Sequence, residues 1–440
     1  MKEKLLDQNL PLIQEADLEG KVVLIRFDHN VVKKGVVTDS YRIDKSLGTL
    51  YNVVERGGRP ILMTHIGRPK DKKTGQIKCC PEESVEPIVE YIEQKLNVKF
   101  HVPKFNISSE IGITDIDTSI NHHIRELKKR NIAGIYLPNT RWFCGEEAKE
   151  SAECKKFALQ LAGLADVFIN DAFGSWQPHV STYYITEYLP SYAGFLLQQE
   201  IINLNSVLEP VKPFVAIIAG AKYDTKIGPL YEIYKRVNTL ILGGVIYNAF
   251  LAAKYNVSIQ GISEEDKEAA KKLVEMDKKE RKIIELPYIV ESDTDKEKIE
   301  GKYKTISTED FAYRKSYGYI LDIDPKSFEH PIVLEVLSAA KTIFVNAVMG
   351  FTPHFTAGSE ALDNTIDKNK DALKLYGGGD TLQVFKSLCP ALYLSVIGDV
   401  KYHLFTGGGT VLTAIEQGSP YNLKPVKALI ENKKKIKSKS

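Results

Sequence analysis

The sequence predicts an α/β fold, doubly wound and mainly parallel, in two halves. Three observations carry that expectation. Short apolar runs rich in β-branched residues recur along the 440 residues, amphipathic helix-like stretches separate them, and polar side chains gather just past the runs' C-terminal ends. A strand that is apolar throughout suits burial on both faces, as in a parallel sheet covered by helices. Alternating strand and helix signals give the α/β class.

In chain order the runs are VVLIRF (22–27), ILMTHI (61–66), GIYL (134–137) and DVFIN (166–170), then FVAIIAG (214–220), TLILGG (239–244), TIFVNA (342–347), LKLYGGG (373–379) and HLFTGGG (403–409). Stretches such as PEESVEPIVEYIEQKL and EEDKEAAKKLVEMDKK supply crossover helices between them. Asp28 and Asn30 follow the first run, His65 and Arg68 close the second, and Asn139 and Arg141 follow the third. Lys222 and Lys226 follow FVAIIAG, Asn346 ends TIFV, and glycine-rich turns close the last two runs. Ligands of open α/β sheets bind outside the carboxyl ends of the strands. The repeated coincidence therefore locates a site. Between the halves, PSYAGFLLQQEIINLNSVLEPVKP (190–213) predicts a helix from near Pro190 to before Pro210, then a strand from Pro213.

Composition narrows the function classes. Apolar and charged residues make up 43% and 26% of the chain, the proportions of a soluble globular protein. Lys and Arg number 59 against 57 Asp and Glu, so no broad basic field points to nucleic acid and any anion site is local. No apolar stretch reaches the roughly 20 residues of a membrane helix, and the N-terminal segment does not read as a secretory signal. Five cysteines without zinc-ligand spacing read as free thiols of a cytoplasmic protein. The lysine-rich ENKKKIKSKS reads as a solvated tail.

The motifs point to phosphate chemistry. GGGDT (377–381) precedes the helix-like TLQVFKSL, and TGGGT (406–410) precedes VLTAIEQG. Glycines let the backbone approach a ligand closely, and a helix N-terminus aims free N–H groups at phosphate oxygens. Asp380 in the first turn suits Mg²⁺. No GxxxxGK[ST] loop is present and no GxGxxG follows the first strand, which argues against P-loop kinases and dinucleotide oxidoreductases. Lys222 and Lys226 stand four residues apart, so a helical turn would place both ammonium groups on one face. In the N-terminal half Arg42, Arg68 and Arg141 each suit a forked grip on carboxylate or phosphate, and His65 suits a hydrogen bond.

Taken together, KVVLIRFDHN, TDSYRIDKSL, ILMTHIGRPK, NTRWFCGEE, LADVFINDAFG, PSYAGFLLQQEI, PFVAIIAGAKYDTKIG, YILDIDPKS, KTIFVNAVMG, LYGGGDT and TGGGTVL resemble the phosphoglycerate kinase family, in that family's order and over nearly the whole chain. The resemblance implies two Rossmann-like three-layer lobes joined by a hinge helix. Residues 1–189 would form the phosphoglycerate-binding lobe, with the tail 415–440 returning to it. Residues 190–212 would be the hinge helix and linker, and 213–414 the nucleotide-binding lobe. It implies reversible phosphoryl transfer between 1,3-bisphosphoglycerate with MgADP and 3-phosphoglycerate with MgATP, by a monomer with no nucleic-acid or membrane partner. The acid would be held by Asp28, Asn30, Arg42, His65, Ile66, Gly67, Arg68, Arg141 and His179. Nucleotide phosphates and Mg²⁺ would be held by Lys222, Lys226, Gly243, Gly244, Asn346, Gly378, Gly379, Asp380 and Thr381, with Gly407 and Gly408 facing the transferring group. Arg42 and Lys226 would neutralise charge in the transition state, and Asp380 would take the metal.

The chain departs from the family in three places. After NDAFG the family carries a His-Arg-Ala-His run whose Arg binds substrate. Here SWQPHVST is one residue shorter and lacks the Arg, with His179 at the second His. Pro353 stands where the family has a Glu on the ribose. Milder changes are Pro138 before Asn139, Ala219 at the start of the Gly-Gly-Ala-Lys motif, and Val245 after the Gly243–Gly244 pair. These departures raise two alternatives: altered acid or nucleotide preference, or a catalytically weak binding protein on the same fold. Arg42, Lys222, Lys226 and Asp380 are all present, which favours an enzyme.

Overall fold

The computed structural model describes residues 6–220 and 226–437. Contacts divide the chain into two compact units, one running to Ile202 and resuming at Tyr421, the other spanning Asn203–Pro420. Each is built on one six-stranded sheet whose strands are all parallel.

In the first unit the strands lie side by side as Phe100–His101, Gly134–Tyr136, Arg59–Met63, Val22–Phe27, Val167–Asp171 and Ser191–Ala193. The Val22–Phe27 strand is central and buried at every position, as its uninterrupted apolar run predicts. Helix Tyr41–Glu55 turns Ile43, Leu47, Leu50 and Val53 inward at helical spacing, and helix Glu86–Leu96 adds Ile88, Val89 and Ile92. These side chains form one core with Val23, Ile25, Leu62 and Ile169 from the sheet.

The second unit orders its sheet as Ile283–Ile284, Thr239–Gly243, Phe214–Gly220, Thr342–Asn346, Leu373–Tyr376 and Tyr402–Leu404. Counted along the chain this is 3-2-1-4-5-6, the order of doubly wound nucleotide-binding sheets, and it reverses between Phe214–Gly220 and Thr342–Asn346. A ligand crevice is expected at that reversal, beyond the carboxyl ends of those two strands.

Three features differ from the sequence reading. Ser191–Ala193 forms a strand paired with Val167–Asp171 before helix Phe195–Leu208 begins, so the helix starts later than Pro190. The Asn432 side chain accepts from the Ser191 N–H at 3.0 Å, a contact between distant segments that local sequence does not reveal. The lysine-rich end is not a free tail through its first part. Helix Lys424–Lys437 buries Val426 and Leu429, and Asn432 donates to the Thr186 and Leu189 carbonyls at 2.7 and 3.0 Å. Finally, Tyr303–Ser307, Tyr288–Ser292 and Tyr319–Ile323 form a small antiparallel sheet in the second unit, which no run in the sequence singled out. Among the described residues no helix is long and apolar enough to cross a membrane.

Candidate functional site

The second unit holds a cavity of about 640 Å³ at the sheet's reversal point. Its floor comes from the ends of the two strands flanking the reversal. Ala219 and Gly220 close one and Asn346 closes the other. Lys226, at the N-terminal cap of helix Ile227–Arg236, extends back across them. Its Nζ donates to the Asn346 side-chain oxygen at 2.5 Å and to the Ala219 carbonyl. The Asn346 amide in turn donates to the Gly377 carbonyl, which ties the lysine to the GGGDT turn.

Two helix N-termini converge on the same space. Gly378 caps helix Gly379–Leu388, and Gly407 caps helix Gly408–Glu416. Gly378 has φ +118°, a conformation that L side chains rarely adopt, and a Cβ there would meet the Asn346 amide nitrogen at 2.8 Å. A Cβ on Gly408 would come within 2.4 Å of the Gly378 Cα, so the two turns touch backbone to backbone. A helix start directs backbone N–H groups and the positive end of the helix dipole outward. Together with the Lys226 ammonium the two starts give this end of the cavity the chemistry that suits an anion such as phosphate.

Burial pushes the Lys226 ammonium down to about 8, against the opposing pull of Asp380. An incoming phosphate would favour the charged form and raise it again. Among the described lining residues Asp380 is the one carboxylate. No group of three or more His, Cys, Asp or Glu side chains suited to a metal occurs among the described residues. That donor set fits Mg²⁺, which is usually held by one or two carboxylates plus substrate phosphates and water. Beyond the phosphate end the cavity turns apolar, with Val245, Ile320, Leu321, Val348, Met349, Phe351 and Leu412. Gly244, Gly378, Gly379, Thr381 and Gly408 line it as well, whereas Gly243 caps helix Gly244–Tyr255 from behind. Lys222 lies outside the described residues. Phe351 and Thr352 line the cavity, and Pro353 does not.

The first unit gathers the other candidate residues at the carboxyl end of its sheet. Arg42 pairs with the buried Asp28 at 3.2 Å and keeps 29% of its side chain exposed. Asn30 accepts from the Gly67 N–H, and Asn139 accepts from the Ile66 N–H, both at 3.0 Å. Asn139 also donates to the Ile66 carbonyl at 2.8 Å and the Glu83 carbonyl at 3.0 Å. The Ile66 and Gly67 amides are therefore already bonded within the protein, and these residues shape the loop that presents the exposed Arg68. Arg141 follows strand Gly134–Tyr136 in the short helical turn Thr140–Trp142. It donates to the Gly67 carbonyl and pairs with Glu147 at 2.9 Å.

The altered segment lies beside this cluster. His179 Nε2 stands 3.7 Å from the same Glu147, and burial lowers its imidazolium to about 4 although Glu147 opposes the shift. At neutral pH His179 is uncharged, so it does not replace the positive charge missing from SWQPHVST. Trp176 is half-buried and Gln177 exposed, and neither is cationic.

Sequence reasoning missed three residues here. Arg26 is fully buried and reaches His65, and it is linked through Ser181 to the buried Glu146. An arginine inside the apolar run VVLIRF is the one signal of them that the sequence carries.

Comparison with known proteins agrees with this construction. The family model described as phosphoglycerate kinase matches residues 13–418. A phosphoglycerate kinase of Trichodesmium erythraeum is 32% identical over 411 residues, covering 92% of this chain and 95% of the relative. One from Clostridium perfringens is 33% identical over 420 residues, covering 93% and 96%. Among solved structures, phosphoglycerate kinase from Coxiella burnetii superposes with a TM-score of 0.74 at 26% identity, covering 97% of this chain and all of that one. The Pyrococcus horikoshii enzyme gives 0.72 at 20% identity, which speaks for the fold alone. The chain thus belongs to the phosphoglycerate kinase family and is a phosphotransferase.

Proposed function

We propose that the chain catalyses reversible phosphoryl transfer between 1,3-bisphosphoglycerate with MgADP and 3-phosphoglycerate with MgATP, as a cytoplasmic monomer. The observation that carries this reading is the convergence of Lys226, Asn346 and two glycine-capped helix starts on one cavity. Nucleotide phosphates lie against the Gly378–Thr381 turn and Gly408, with the base and sugar toward Val245, Leu321 and Phe351. Asp380 would hold Mg²⁺, and the metal would supply charge neutralisation for the transferring phosphate.

The acid lies in the first unit, gripped by Arg42, Arg68 and Arg141, with His65, Asp28 and Asn30 ordering the loop and the hydroxyl side. In the direction of ATP use, a carboxylate oxygen of 3-phosphoglycerate forms a bond to the γ-phosphorus. The bond to the bridging oxygen breaks and ADP leaves with that electron pair. The nucleophile is already ionised at neutral pH, so no side chain need remove a proton. Catalysis is then positioning plus stabilisation of charge on the transferring group, by Lys226 and Arg42. Five free cysteines fit a reducing compartment.

The test is 3-phosphoglycerate-dependent formation of ADP in a coupled assay, run with ATP and with GTP. Turnover with at least one nucleotide is expected. No turnover with either would overturn the reading.

A further inference from the structure

The group behind His65 is a fully buried cation. Arg26 lies in the central strand of the first unit and is fully buried. Its Nη2 stands 3.0 Å from His65 Nδ1. Its Nε donates to Ser181 Oγ at 2.8 Å, and its Nη1 donates to the Phe27 carbonyl. Ser181 then donates twice to the buried Glu146, from its N–H at 2.9 Å and its hydroxyl at 2.5 Å. The buried charge of Arg26 is thus answered by a carboxylate through one hydroxyl.

A guanidinium only donates hydrogen bonds. Facing that guanidinium at 3.0 Å, with the Ser175 hydroxyl farther off at 3.4 Å, His65 Nδ1 offers its lone pair, and in the neutral ring the hydrogen resides on Nε2. No partner for Nε2 occurs among the described residues. The charged and titratable groups facing His65 are Arg26 from the strand, Arg42 from helix Tyr41–Glu55, Arg141 from the turn Thr140–Trp142, and His179. Burial above all, then the three arginine charges and His179 when it is protonated, oppose a second proton and hold the imidazolium well below its usual range.

We propose that Arg26, anchored by Ser181 and Glu146, is a positioning residue that fixes His65 as an uncharged Nε2–H donor aimed at the phosphorylated acid. Arg26 is too deeply buried to touch substrate and acts through His65. The consequence is a hydrogen bond to the acid that does not vary with pH, in a site that has lost one arginine elsewhere. The inference rests on the assignment of this cluster to the acid.

The test uses the full chain labelled with ¹⁵N at its nine histidines, with His65 signals assigned by their loss in His65→Asn. Long-range proton–nitrogen correlations distinguish the tautomers. Between about pH 5.5 and 8, His65 is expected to keep a bare Nδ1 and a protonated Nε2. An Nδ1–H tautomer, or a ring titrating near its ordinary midpoint of about 6.5, would overturn the proposal. In Arg26→Met the midpoint is expected to rise, and the KM for 3-phosphoglycerate to rise about tenfold with kcat within about twofold. Should that variant not fold, Ser181→Ala is expected to move both quantities the same way by less, and unchanged values would count against Arg26. The spectra need no turnover, so an inactive protein with the expected tautomer would defeat the kinase reading and leave the Arg26–His65 tautomer assignment standing.

Discussion

The cavity beside Lys226 and the cluster around His65 manage negative charge by different means. The cavity of the second unit uses backbone: two helix starts, held together by glycines at Gly378 and Gly408, with one lysine that burial lowers to about 8. The acid cluster uses side chains, and each of its inner cations is tied to a protein carboxylate. Arg42 is paired with Asp28, Arg141 with Glu147, and Arg26 with Glu146 through Ser181. Backbone recognition depends on turns that tolerate little change. Side-chain recognition distributes the load, so one arginine can vanish while the rest of the cluster keeps its geometry. That contrast fits what the resemblance to the family implies, with GGGDT and TGGGT kept and SWQPHVST changed.

The contrast breaks first at the lysine. Lys226→Ala is expected to lower kcat by about 10³-fold while nucleotide still binds, read by steady-state rates beside calorimetry. Wild-type-like turnover would remove Lys226 from the transfer step. Next in size is Asp380→Ala, expected to weaken MgADP binding by about tenfold or more, because a carboxylate at the metal has no substitute among the described lining residues. Unchanged affinity in calorimetry would refute the metal role.

A third effect follows from protonation. In the nucleotide-free enzyme Lys226 is charged below about 8 and neutral above it. The kcat/KM for nucleotide is therefore expected to fall as pH rises through that value, since kcat/KM reports the free enzyme. Asp380 pulls the lysine upward, so Asp380→Asn should move the falling limb to lower pH. A profile flat to pH about 9.5 would contradict this. The smallest effect is a gain. Gln177→Arg places a cation in the exposed altered segment and is expected to lower the KM for 3-phosphoglycerate by roughly threefold, as fits a solvent-screened pair. No change would mean that the lost arginine is compensated elsewhere.

Much of this architecture was legible in the sequence, for physical reasons. Strands buried on both faces leave uninterrupted apolar runs, so Val22–Phe27, Phe214–Gly220 and Thr342–Asn346 stand out. Doubly wound sheets deliver polar residues to one edge, so Lys226, Asn346 and Asp380 could be grouped before any coordinates. Long-range contacts left no such trace. The bonds of Asn432 to the Ser191 N–H and to the Thr186 and Leu189 carbonyls join segments more than 200 residues apart. Arg26 escaped because a charge inside an apolar run is read as an interruption, and only the fold shows His65, Ser181 and Glu146 around it.

The most direct test of the account is chemical. Transfer to a carboxylate makes an acyl phosphate, which hydroxylamine captures as a hydroxamate. With ATP, Mg²⁺ and 3-phosphoglycerate, hydroxamate is expected to accumulate in step with ADP. ADP formed without hydroxamate would mean transfer to water or to a hydroxyl, and would contradict the account.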